Sequence, residues 1–150
     1  MTSPQFKRPK RLWLAALMNI LAGLSSLTAL VLISTSRVPD VAGLGGGATA
    51  MASVTAGFLV VSSVLALLGK PRGRRLMLAA ALAFYGGILI QNAYLLGQVQ
   101  DNLAPAHKLI THVVRSGLEI AINLWALLSA KTRRYFDGVL AAPWETSLGR

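Results

Sequence analysis

Four long apolar runs, each of at least 17 residues, constrain this 150-residue chain more than any other feature. A helix in a water-soluble domain needs only an apolar stripe toward the core, with polar residues on its far side. In these runs the apolar residues extend well beyond such a stripe, so the solvent they suit is lipid. They cover about 12–33, 48–68, 76–96 and 109–130. Each is close to the roughly 20 residues that cross a 30 Å hydrocarbon core as a helix. Backbone polar groups inside a bilayer must be satisfied within the chain, and no run shows the period-two alternation of a barrel strand. The sequence therefore predicts an all-α fold: one membrane domain over 1–150, a four-transmembrane-helix bundle, with a tail over 131–150.

Breakers separate the runs. Gly43-Leu44-Gly45-Gly46-Gly47 closes the first loop, Gly69-Lys70-Pro71-Arg72-Gly73 halts the second span, and Pro105 lies in the polar stretch before the fourth. The start, Lys7-Arg8-Pro9-Lys10-Arg11 ahead of an apolar run, superficially looks like a signal peptide. The run is too long for one, and it reads as an uncleaved first helix. No internal repeat stands out.

Only 13% of residues are charged, about half the quarter that clothes a soluble domain. The net charge of +10 and pI near 11.2 invite a nucleic-acid reading, but the basic residues sit at the mouths of apolar segments and do not line one face of a folded domain. No nucleic-acid partner is expected. Their placement instead sets topology. Lys7, Arg8, Lys10 and Arg11 precede the first span; Lys70, Arg72, Arg74 and Arg75 lie between the second and third; Lys131, Arg133 and Arg134 follow the fourth. The other side has only Arg37 and Lys108. Both termini are thus expected in the cytoplasm, with the chain integral to a bacterial inner membrane and its basic loops against anionic headgroups. Trp13, Tyr135, Phe136 and Trp144 are expected at the headgroup level.

Charges inside a span are rare and informative. The fourth run carries His112, Arg115, Glu119 and Asn123, spaced three, four and four apart. At 3.6 residues per turn they fall within an arc of roughly 80°, one polar stripe on one face. Arg115 and Glu119 form an i, i+4 pair, with Glu119 within about 2 Å of the expected midplane and Arg115 roughly 7 Å toward the outer side. Height arithmetic puts Gln91 and Asn92 level with Arg115, Asn19 level with Asn123, and Tyr85 near Glu119. Small residues add two faces, Ala15, Asn19, Ala22, Ser26 and Ala29 on the first span and Thr49, Ser53 and Gly57 on the second, suited to close helix packing.

No catalytic set is legible. There is no cysteine, His107 and His112 lack a third ligand at metal spacing, and the serines lack a base and acid partner. No metal or cofactor is expected. The leading expectation is a non-enzymatic membrane protein acting by helix–helix association, as an accessory subunit or homo-oligomer. The alternative is a small oligomeric transporter or channel that uses Glu119 and Arg115 as an intramembrane polar site.

Overall fold

The computed structural model describes residues 9–35, 46–70, 72–97 and 106–141. Lys7, Arg8, the loop through Arg37, Pro71, the stretch 98–105 and Trp144 lie outside the described residues. The described chain is all helical: α1 (Lys10–Thr35), α2 (Gly46–Leu67), α3 (Gly73–Gly97), α4 (Ala106–Leu128) and α5 (Ala130–Ala141). Of these, α1, α2 and α3 are each long and apolar enough to cross a membrane. α4 meets that test only together with the start of α5, from which it is bent by 51°. The polar stripe is the reason: α4 is the one long helix that segregates polar from apolar residues strongly.

The helices run up and down in sequence order, α1 against α2, α2 against α3, α3 against α4, while α1 and α4 meet over a shorter stretch. We call the end holding Lys10, the α2–α3 turn and α5 proximal, and the other distal. The buried positions are small or polar in unusual measure: Ala15, Ala16, Asn19, Ala56, Ser62, Ser63, Ala66, Ala80, Ala81, Asn123 and Ala126. Large apolar side chains such as Leu14, Leu21, Val31, Met51, Val54, Ile90 and Leu118 point outward. A surface so apolar would not stay dissolved in water, whereas small residues at helix contacts are how bundles pack in lipid.

Local chemistry explains the turns. Gly69 takes φ +72°, and its N–H reaches Ala66 O at 3.1 Å while Lys70 N–H reaches Leu65 O at 3.1 Å. This is a Schellman cap, and it ends α2 at the expected position. The chain then doubles back so tightly that a Cβ on Gly73 would sit 2.7 Å from Ala66 N. A second close approach joins α1 to α2, where a Cβ on Gly23 would meet Val60 Cγ2 at 2.6 Å.

Three sequence expectations shift. α2 begins at Gly46, so the last two glycines of the Gly-rich run lie in its first turn, where N–H groups make no intrahelical bond and the glycines cost the helix little. The fourth helix ends at Leu128, before the expected 130. Ser129 Oγ accepts from Thr132 N–H at 3.3 Å and the Thr132 hydroxyl donates to Ala126 O at 2.7 Å, starting α5 in a new direction. Finally, Tyr135 and Phe136 do not lie at an exposed interface. The bend folds them under the bundle against Leu12, Ala16, Met77 and Leu127, in an edge-to-face pair 5.1 Å apart.

Candidate functional site

α1 and α4 are joined at the proximal end by polar contacts. Asn19 Nδ2 donates to Asn123 Oδ1 at 2.7 Å, and Asn123 Nδ2 donates back to Asn19 Oδ1 at 3.1 Å. Tyr85 on α3 donates its hydroxyl to the same Asn19 oxygen at 3.0 Å. All three side chains are buried. Asn123 Nδ2 also reaches Glu119 O at 2.8 Å, tying the network to the stripe. Further toward the proximal end, the Arg11 guanidinium lies over the Trp125 ring, 4.1 Å from its centroid.

Distal to this clasp, α1 and α4 part. A cleft of about 300 Å³ opens between them. Its α1 wall is Ala22, Ser25, Ser26 and Ala29, and its α4 wall is His112, Arg115, Ser116 and Glu119. Phe84, Tyr85 and Ile88 of α3 form the floor. Arg115 Nε donates to Glu119 Oε1 at 3.0 Å, along the helix as the spacing required. The pair is unequal: the Glu119 side chain is 13% exposed and that of Arg115 68%. No other ion pair occurs among the described residues.

Most of the residues singled out from sequence do assemble. His112, Arg115, Glu119 and Tyr85 line one cleft, and Asn19 and Asn123 close its proximal end. Gln91 and Asn92 do not join them. Asn92 Nδ2 donates to Ile88 O of its own helix at 2.7 Å. Gln91 lines a second, more apolar cavity of about 430 Å³ among α1, α2 and α3, which shares Ser26, Phe84 and Ile88 with the cleft. Height along the axis left azimuth open, and Gln91 lies on the side of α3 toward α2.

Sequence reasoning overlooked Ser116, Arg11 and Trp125. Ser116 was findable, since it lies four residues after His112 and seven before Asn123, inside the same stripe. The Arg11–Trp125 contact joins positions 114 apart, and nothing local announces it. Among the described residues no group of three or more His, Asp or Glu gathers as a metal site.

Fold and cleft together define a class: an all-helical membrane protein with three helices able to span on their own and a polar cleft between the first and fourth. No protein-family model, curated protein or solved structure gives a match to this chain.

Proposed function

We propose that this is a four-span protein of a bacterial plasma membrane, with both termini cytoplasmic, that works without catalysis by associating with other membrane helices as an accessory subunit or as a homo-oligomer. In this reading α4 spans despite its stripe, the bend at Ser129 marks its cytoplasmic exit, and the proximal end is the cytoplasmic one. The basic residues Arg72, Arg74, Arg75, Lys131, Arg133 and Arg134 then face anionic headgroups.

One observation carries the association. The Arg115 side chain is 68% exposed, and its outward neighbours beside it and on the following turn, Val114 and Leu118, are apolar. A charge facing lipid is costly, and a second helix laid along the α1–α4 seam removes that cost. The absence of cysteine makes the test clean. Leu118→Cys, oxidised in native membranes, should give a disulfide-linked homodimer, or, with a bifunctional thiol reagent, an adduct with another membrane protein. A chain that stays monomeric in both experiments and in blue-native electrophoresis contradicts the proposal.

The cleft itself favours a second reading, a small oligomeric transporter in which Glu119 and Arg115 form the polar site. Glu119→Gln should then abolish a pH-dependent flux in proteoliposomes while leaving expression intact. No flux across a broad substrate panel discards it.

A further inference from the structure

We propose that the cleft between α1 and α4 binds the head of a membrane-dissolved amphipath, a long apolar chain ending in a small uncharged hydroxyl- or carbonyl-bearing group. The inference goes beyond the association reading and does not depend on it.

Shape comes first. The cleft holds about 300 Å³ and is walled by α1 and α4 with α3 as its floor. A partner helix laid along the seam covers Arg115, and the space behind it suits a small head group.

That space has unmet hydrogen-bonding groups. Serine and threonine hydroxyls on these helices normally donate to a carbonyl of the preceding turn, as Thr28, Ser34, Ser53 and Ser63 do. Ser116 and Ser26, on opposite walls of the cleft, make no hydrogen bond among the described residues. Ser116 is only 3% exposed. Every sealed side-chain nitrogen or oxygen among the described residues has a partner, so the Ser116 hydroxyl opens on the cleft. A hydroxyl in a membrane interior with no partner is unfavourable, and a hydroxyl- or carbonyl-bearing head in the cleft offers each serine a partner.

Charge narrows the head. Arg115 and Glu119 already neutralise each other at 3.0 Å. An anionic head would compete with Glu119 for the guanidinium, and a cationic head with Arg115 for the carboxylate. An uncharged head leaves the pair intact and still accepts from the guanidinium N–H groups that Glu119 does not use. Phe84 and Ile88 supply the apolar wall for the chain, and the second cavity continues that apolar space on their far side.

The test uses the full chain purified in detergent, with dioleoylglycerol as the uncharged probe and dioleoyl phosphatidic acid as an anionic probe with the same chains. Dioleoylglycerol should raise the melting temperature saturably, on the order of 5 °C at a hundredfold excess over its dissociation constant. Phosphatidic acid should not. Ser116→Ala and Ser26→Ala should each weaken binding about fivefold, one hydrogen bond apiece. Ser34→Ala, whose hydroxyl serves its own helix, should not. Ser116→Leu replaces the hydroxyl with a branched apolar group that intrudes on the cleft and should abolish the shift; if that variant does not fold, the two alanine variants decide. An equal response to phosphatidic acid, no response to dioleoylglycerol, or unchanged affinity in both alanine variants overturns the proposal. A saturable shift in a protein that never crosslinks removes only the association reading, and crosslinking without a shift removes only this one.

Discussion

Asn19 Oδ1 accepts two hydrogen bonds, from Tyr85 and from Asn123, and through them one carboxamide sets the register of three helices. The two donors are not equivalent. Tyr85→Phe deletes a single hydroxyl and leaves the amide pair whole, so it should destabilise by about 0.6–1 kcal/mol in thermal unfolding in detergent. Asn123→Leu strands the Asn19 amide in a buried site and should cost about 2 kcal/mol. Equal losses would mean that the amide pair contributes nothing of its own. The ion pair calls for a cycle instead. Arg115→Leu leaves Glu119 mostly buried without its counter-charge. That should cost about 2 kcal/mol, below the 3–5 of a fully enclosed pair because the Arg115 side is largely exposed. The double variant Arg115→Leu, Glu119→Leu should be milder than Arg115→Leu alone, since no orphan charge remains. Strict additivity would show that the two do not interact. At this scale the sequence was informative wherever spacing along one helix decides the contact, as for Arg115 and Glu119. Across helices, height arithmetic found Asn19 with Asn123 but missed where Gln91 points, because height fixes only one of two coordinates.

Glycines distinguish the elements that press together from those that do not. Gly73 meets the Ala66 backbone, which cannot rotate aside, so Gly73→Ala should cost about 2 kcal/mol by pushing α2 and α3 apart at their turn. Gly57 lies in the small-residue pattern of α2, yet a Cβ there meets nothing within 4 Å. Gly57→Ala should be neutral or stabilise by about 0.5 kcal/mol through helix propensity. Thermal unfolding of the two variants checks both, and a loss at Gly57 matching that at Gly73 would refute the packing described here. The sequence marked Thr49, Ser53 and Gly57 as a close-packing face, whereas the tight contact with α1 falls on Ala56 and Val60 opposite Gly23. Small residues are frequent on every side of α2, so the pattern alone does not choose a side. Helix ends were more legible. The stop at Gly69 was expected from the Gly69-Lys70-Pro71-Arg72-Gly73 run, while the break at Ser129 was not, because serine in an apolar run carries no breaker signal and acts here through its bonds to Ala126 O and Thr132.

For the whole molecule, the long apolar runs were enough to foresee an all-α membrane protein, and α1, α2 and α3 satisfy the length and hydropathy of a span individually. α4 does not, and the feature that disqualifies it is the same stripe that lines the cleft. The proposed architecture therefore rests on α4 crossing the bilayer with its polar face turned inward against α1 and α3. If it does not cross, the two ends of the chain lie on opposite sides, and the seam faces a headgroup layer instead of lipid.

The most direct measurement compares the two sides of α4. Single cysteines at Asp101, before it, and at Asp137, after it, can be probed in intact cells with a membrane-impermeant maleimide, on a chain with no native cysteine. The four-span account predicts that Asp101→Cys reacts from outside and that Asp137→Cys reacts only after the membrane is opened. Equal reactivity of the two positions, whether both accessible or both protected, would contradict it.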